Sequence, residues 1–177
     1  MELKVSSIPT LPRVNSGLVR MLPIATTVLA AMIAILPMHL PGYAALAPAL
    51  TLMAVYHWTI YRPDLLPPLG IFGIGLAQDL LTGAPVGAGA LALLLARSAV
   101  LRCRHHFVNR IFLFVWCGFA LLGTVVIFGL WALYSLLLLS FLDLRNTAFR
   151  AVLTIAIFPL ASFVLGRAQR ALMGAPG

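Results

Sequence analysis

Few side chains in this sequence could carry out acid–base or metal chemistry, and they are scattered along the chain. Four residues are acidic, and only Asp79, in the segment GLAQDLLTGAPVG, lies within an apolar run. A catalytic carboxylate dyad would need a second acid buried beside it. His105 and His106 have only Cys103 near them in sequence, and no serine has a histidine in a recognisable arrangement. We therefore expect no catalytic residue, no metal site, no cofactor and no enzymatic activity.

Two roles remain open for the Asp79 carboxylate. It could fix the turn that follows, by accepting hydrogen bonds from backbone N–H groups or from Thr82. It could instead pair with a cation, for which Arg145 and Arg150 are the candidates. Arg97 lies on the next apolar block, and at 1.5 Å rise per residue it is more than about 10 Å away in depth. We expect Arg97 to extend to the inner surface instead, although a buried pair there would look the same in the sequence.

The elements that position these residues are apolar helices in a membrane. The chain has 177 residues, of which 62% are hydrophobic and 9% charged, and its mean hydropathy is +1.06. A soluble domain carries about a quarter charged residues, so this much apolar surface requires lipid as the solvent. The net charge of +8 does not indicate nucleic acid, because the basic residues lie between apolar blocks. Cys103 and Cys117 form no CxxC pair, and a structural disulfide is not expected.

Six apolar blocks are separated by turn residues, which predicts an all-α integral membrane protein with six transmembrane helices. The block at 111–141 is too long for one upright span and too short for two, and we interpret it as one long tilted helix because it contains no polar turn. Splitting it would give seven spans. Residues 102–110 are predicted to form a basic loop. The predicted organisation is a cytoplasmic tail (1–20), a transmembrane domain (21–166) and a second cytoplasmic tail (167–177). The predicted blocks are 21–39, 43–61, 66–82, 86–101, 111–141 and 147–166.

The distribution of basic residues predicts the orientation. With the N-terminus inside and six spans, ten basic residues fall on the cytoplasmic side and only Arg145 and Arg150 fall outside. This predicts a multi-pass protein of the bacterial cytoplasmic membrane with both termini in the cytoplasm. Seven spans would give an equally uneven count, so the charge distribution does not decide between the two. The ten residues are Lys4, Arg13, Arg20, Arg62, Arg97, Arg102, Arg104, Arg110, Arg167 and Arg170.

Small residues follow one face of the third and fourth blocks, and they predict close helix packing. This packing could join the two helices to each other or dock a partner helix. The aromatic group around His57 is interpreted as an interfacial belt. The small residues are Gly70, Gly73, Ala77, Gly83, Gly87, Gly89, Ala92, Ala96 and Ala99.

One segment of about 30 residues resembles a known family. The segment YRPDLLPPLGIFGIGLAQDLLTGAPVGAGAL is similar to the bacterial rod shape-determining protein MreD family. The family pattern is an R-P turn followed by an acid or His, an apolar helix ending in Asp, and an S/T-G-x-P-x-G turn. The matching positions are Arg62, Pro63, Asp64, Asp79, Gly83, Pro85 and Gly87. These residues, with Arg97, Arg145 and Arg150, are our structural or partner-binding candidates.

The resemblance implies a non-enzymatic scaffold of the cell-elongation complex that helps to organise peptidoglycan synthesis and cell shape. Its implied partners are an MreC-like single-span protein and, in the wider complex, MreB, a SEDS glycosyltransferase and a class B penicillin-binding transpeptidase. Membrane lipid is a further partner, and nucleic acid is not. The implied fold is similar to the six-helix substrate-binding S components of energy-coupling-factor transporters.

The alternative function is a solute-binding subunit of such a transporter. Gln78, Asp79, Arg145, Asn146 and Arg150 would then line an outer pocket. A bound solute in the purified protein would distinguish this alternative from the scaffold.

Overall fold

The structure is a computed structural model that describes residues 16–35, 43–107, 112–139 and 143–173. In these ranges all regular structure is helical, which confirms the predicted all-α class, and each predicted apolar block corresponds to one helix. The predicted turn at 40–42, most of the first tail and the side chains of Lys4, Arg13 and Arg110 lie outside the described residues. The elements are α1 (Ser16–Ile35), α2 (Tyr43–Tyr61), a 3-10 helix (Pro63–Leu65), α3 (Pro68–Thr82), α4 (Ala88–Phe107), α5 (Phe112–Leu137) and α6 (Leu144–Met173).

The central element is α2, which packs against α1, α4, α5 and α6. Every residue from Thr51 to Ile60 is buried, because a helix surrounded by other helices has no solvent or lipid face. An apolar composition on all sides is what such a helix requires.

An aromatic cluster joins α2 to α5 and α6. The Tyr56 ring meets Phe119 and Phe158 edge-on, with centroids 5.2 and 5.6 Å apart, and its hydroxyl donates to Val115 O at 2.9 Å. Trp58 is fully buried and donates from Nε1 to Thr26 Oγ1 at 2.8 Å. The predicted interfacial belt is therefore wrong for these side chains. Amphipathic rings suit an interface, but they suit a core equally well when the polar atom finds a partner.

Pro159, inside α6, explains one contact between helices. A proline has no N–H, so the carbonyl four residues earlier, that of Ile155, lacks its usual helical donor. Trp116 of α5 donates its indole N–H to Ile155 O at 2.9 Å. The carbonyl that Pro159 leaves without a helical donor therefore forms a hydrogen bond between α5 and α6.

Two predicted boundaries differ from the structure. Residues Arg102 to Phe107 continue α4 rather than starting a loop, because arginine and histidine do not break a helix and α4 extends past the apolar block. α6 runs on to Met173, beyond the predicted end of the transmembrane domain. The block at 111–141 contains one continuous helix, α5, as predicted.

The exterior of the bundle is rich in leucine, valine and phenylalanine side chains. Such a surface in water would be an aggregation hazard. Two of the described helices, over Phe112–Leu137 and Leu144–Arg170, are long and apolar enough to cross a membrane. Six crossings remain a prediction.

Candidate functional site

The site with the most specific geometry is the α3–α4 hairpin around Asp79, at the end where α3 stops. α3 begins with Pro68 at its first position, where a proline is favoured because that N–H has no helical partner. It ends at Gly83, which adopts a left-handed conformation with φ of 68°. Such an ending is common because glycine has no Cβ to strain. The N–H groups of Gly83 and Ala84 both donate to the backbone carbonyl of Asp79.

The Asp79 side chain caps the N-terminus of the next helix. Its Oδ2 accepts hydrogen bonds from the backbone N–H groups of Gly87 at 3.0 Å, Gly89 at 3.0 Å and Ala90 at 3.3 Å. The first N–H groups of a helix have no partner within it and form the positive end of its dipole. A carboxylate that is only 4% exposed is thereby compensated without a cation.

This arrangement requires three glycines, two for space and one for backbone conformation. A Cβ on Gly89 would collide with Asp79 Oδ1, and a Cβ on Gly75 would lie 2.6 Å from Ala90 Cα. Gly87 has φ of 92°, a conformation that L side chains rarely adopt. Gly75 and Gly89 therefore allow α3 and α4 to approach closely, and Gly87 allows the turn between them.

The backbone contacts of Asp79 are those required by the turn-fixing role. The Thr82 hydroxyl donates to the backbone carbonyls of Gln78 at 2.8 Å and Asp79 at 3.4 Å, rather than to the Asp79 carboxylate. Arg145 and Arg150 are exposed, and within the described ranges Asp79 makes no ion pair with either. The backbone N–H of Arg145 instead donates to Asp143 Oδ1 at 3.0 Å, at the start of α6.

The small residues of α3 are divided between two surfaces. Gly75 forms the contact with α4, whereas Gly73 and Ala77 are exposed and a Cβ on Gly73 would have nothing within 4 Å. Gly70 lies next to Pro67. The face that carries Gly70, Gly73 and Ala77 therefore does not join α3 to α4, which meet through the other side of α3. Docking of a partner helix on this face, the second predicted possibility, stays a prediction.

The R-P-D turn and the last turn of α2 lie at the opposite end of α3, and each accepts a hydrogen bond from an arginine of α4. Arg97 Nη2 donates to Pro63 O at 3.4 Å, and Arg104 Nε donates to Ile60 O at 2.9 Å. Ile60 O lies in the last turn of α2, where the helix supplies no further donors, whereas Pro63 O also accepts the Leu66 N–H at 3.4 Å. Pro63 is buried, whereas Arg62 and Asp64 are exposed. Arg97 thus reaches a backbone carbonyl and not Asp79.

Sequence reasoning missed Gly75, Ala90 and Arg104. Gly75 lies in an apolar run where a glycine has many explanations, and only its spacing from the Asp79 turn could have indicated a contact. Pro85 is half-buried and its carbonyl accepts the Ala88 N–H at 3.1 Å, which completes the first turn of α4.

Metal ligation has no candidate in the described ranges, where no three histidine, cysteine or acidic side chains cluster. The thiols of Cys103 and Cys117 are free and exposed. What the hairpin itself shows is a buried carboxylate that caps the N-terminus of α4.

The fold and the hairpin together define a small all-helical protein with an apolar exterior, in which one buried carboxylate joins two helices. The sequence model of the rod shape-determining protein MreD family matches residues 15–167. The chain therefore belongs to the MreD family, which has a role in cell shape and is not a known enzyme family. Family and apolar helices together indicate a membrane protein. No curated protein and no solved structure matches the chain, so the similarity to transporter S components remains a prediction.

Proposed function

We propose that this chain is a non-enzymatic scaffold of the bacterial cytoplasmic membrane that binds an MreC-like single-span protein and helps to organise peptidoglycan synthesis. Membership of the MreD family is the observation that carries the proposal. The wider complex would include MreB, a SEDS glycosyltransferase and a class B transpeptidase. The chain would cross the membrane six times with both termini in the cytoplasm.

The engagement of Asp79 supports a structural role for this residue. Its Oδ2 already accepts hydrogen bonds from three backbone N–H groups. A general acid or base must exchange a proton during each turnover. A carboxylate held by three hydrogen bonds is suited to a structural role. It fixes α3 relative to α4 and thereby holds in place the face of α3 that points away from α4.

The outer surface of α3 is the part of the hairpin best suited to a partner helix. Gly73 and Ala77 are exposed and four residues apart, and large apolar side chains surround them. Small residues at this spacing allow two helix backbones to approach within a membrane. We place the transmembrane helix of the MreC-like partner against this notch, whose flanking residues are Leu69, Phe72, Leu80 and Leu81.

Co-purification with the MreC-like protein tests the proposal. Gly73→Leu fills the notch and should reduce the recovered partner on the order of tenfold, which corresponds to about 1.4 kcal/mol. Gly129→Leu is the matched control, since Gly129 is also an exposed helical glycine with open space around it. Equal recovery from both variants would contradict the proposed contact.

Leucine at Gly83 or Gly87 is a less specific test. Both glycines have positive φ, so these variants would strain the turn itself and would reduce partner binding through the fold. A tightly bound solute in the purified chain would instead support the alternative of a transporter subunit.

A further inference from the structure

A second site lies at the end of the bundle opposite the Asp79 hairpin. A cavity of about 510 Å³ opens between the end of α2, the start of α5 and the last turns of α6. Its volume falls in the range of about 300–1,000 Å³ that is typical of ligand pockets. Phe112, Pro159 and Phe163 form apolar walls, and His57, Gln169 and Arg170 contribute polar groups.

His57 lacks the hydrogen bonds that its burial requires. The side chain is only 3% exposed, and neither Nδ1 nor Nε2 has a hydrogen-bond partner among the described residues. The Gln169 side chain lies next to the imidazole, but neither ring nitrogen forms a hydrogen bond with it. A buried polar atom left without a partner is unfavourable. A ligand in the cavity that accepts a hydrogen bond would satisfy it.

The charge around the cavity is positive. Arg170 is exposed at the rim, and Arg167, one helical turn earlier, lies with its guanidinium 5.8 Å from the centre of the Phe163 ring. No acidic side chain contributes to the described lining. A guanidinium beside imidazole and amide donors is suited to phosphate oxygens, which accept from several donors at once.

The position of the cavity indicates where the phosphate comes from. Apolar walls lie beside the polar groups, and Leu160 and Val164, on the outer side of α6, are exposed. A phospholipid presents the same combination, with a charged head group next to acyl chains. Basic pockets between membrane helices are known to bind anionic head groups.

We propose that this cavity binds the phosphate head group of an anionic glycerophospholipid, with Arg170 and Gln169 at the phosphate, the His57 imidazole donating from within and the acyl chains along Phe112 and Phe163. This site is separate from the partner surface on α3. The bound lipid would anchor the ends of α2 and α6 to one leaflet of the membrane. The proposal thus adds one specific lipid site to the general contact with membrane lipid that the sequence predicts.

Lipid binding to the purified full-length chain tests this proposal. The protein is titrated in a mild detergent with phosphatidylglycerol, phosphatidylcholine or inorganic phosphate, and bound lipid is counted by native mass spectrometry. Phosphatidylglycerol should bind roughly tenfold more tightly than phosphatidylcholine, and Arg170→Gln should remove that preference. Arg170→Lys should restore part of it, because a point charge remains.

Arg150→Gln is the matched control, because Arg150 is an exposed arginine near the other end of the same helix. Its variant should keep the wild-type preference. His57→Phe should also weaken lipid binding, but this substitution changes a buried residue and could disturb the fold. The Arg170 variants decide the outcome, because Arg170 is exposed and its substitution leaves the core unchanged. Equal binding of the two lipids, equal losses in Arg150→Gln and Arg170→Gln, or saturation by inorganic phosphate in place of the lipid would overturn the proposal.

Discussion

At Asp79, a buried charge is compensated by backbone alone. Three N–H groups converge on one carboxylate oxygen, whereas Arg145 and Arg150 are exposed on α6. Hydrogen bonds to a charged group contribute about 1.5–3 kcal/mol each in favourable cases. The cost of placing an acid in an apolar helix is thereby offset locally.

Substitution of Asp79 should destabilise the hairpin more when the acceptor oxygen is removed than when only its charge is lost. Asp79→Ala leaves buried donors unpaired and should cost about 2–4 kcal/mol, whereas Asp79→Asn keeps one acceptor oxygen and should cost about half as much. The stability of both variants is measured by thermal unfolding in detergent, which is monitored as the loss of soluble protein. Asp143→Asn, at the exposed start of α6, is the control and should cost about 1 kcal/mol or less. Wild-type stability of Asp79→Ala would contradict the capping role.

The predictability of these residues from sequence was uneven. Asp79 could be singled out because an acid in an apolar run always requires an explanation. Its partners could not be chosen, because turn-fixing and ion pairing use the same residue types. His57 was misjudged for a related reason: aromatic and histidine side chains at a helix end fit an interface and a core equally well, and only the packing of α2 between four helices decides.

At the scale of elements, the approach of α3 to α4 depends on one glycine. Gly75 allows Ala90 Cα to come so near that a Cβ would lie 2.6 Å from it. The backbone of a helix cannot yield as a flexible side chain does, so any larger residue must separate the helices.

Gly75→Ala should therefore destabilise the chain by about 1–3 kcal/mol through overpacking, despite the better helix propensity of alanine. The same substitution at Gly73 should be neutral or slightly stabilising, by up to about 1 kcal/mol, because nothing surrounds that position. Unfolding midpoints of the two variants, measured side by side, check this difference. Equal midpoints would show that the helices are not as close as described.

The contact between α5 and α6 gives a smaller effect. Trp116→Phe removes the donor to Ile155 O, whose helical partner is already missing because of Pro159. We expect a loss of about 1–2 kcal/mol, seen as a lower unfolding midpoint. In a Pro159→Ala background, Trp116→Phe should lower the free energy of unfolding by less than it does in the wild type, because the introduced alanine donates its own N–H to Ile155 O. An undiminished loss in the Pro159→Ala background would contradict this explanation.

Sequence reasoning located the elements better than their ends. Apolar runs and turn residues specify the six helices, because hydropathy and proline or glycine act locally. The extension of α4 to Phe107 was missed because a change in polarity was equated with the end of a helix. The crossing at Gly75 was missed because it depends on which face of α3 meets α4, and nearly all faces of such a helix are apolar.

For the whole molecule, the proposed topology places the Asp79 hairpin outside the cell and the R-P-D turn inside. Val86 and Asp64 are exposed at these two ends. In a chain with Cys103 and Cys117 replaced by serine, Val86→Cys should react with a membrane-impermeant maleimide in intact spheroplasts. Asp64→Cys should react only after permeabilisation. The reverse pattern would invert the orientation, and labelling of both would contradict a membrane between them.

The scaffold proposal is tested most directly by the shape of cells that depend on this chain. The ratio of cell length to width is measured in strains whose only copy is wild type, Gly73→Leu or Gly129→Leu, at equal membrane abundance. Neither leucine meets a neighbouring atom within 4 Å at its Cβ, so both chains should fold. We predict round cells for Gly73→Leu and rods for Gly129→Leu. Rod-shaped cells carrying Gly73→Leu would contradict the account that the outer face of α3 receives the partner through which shape is controlled.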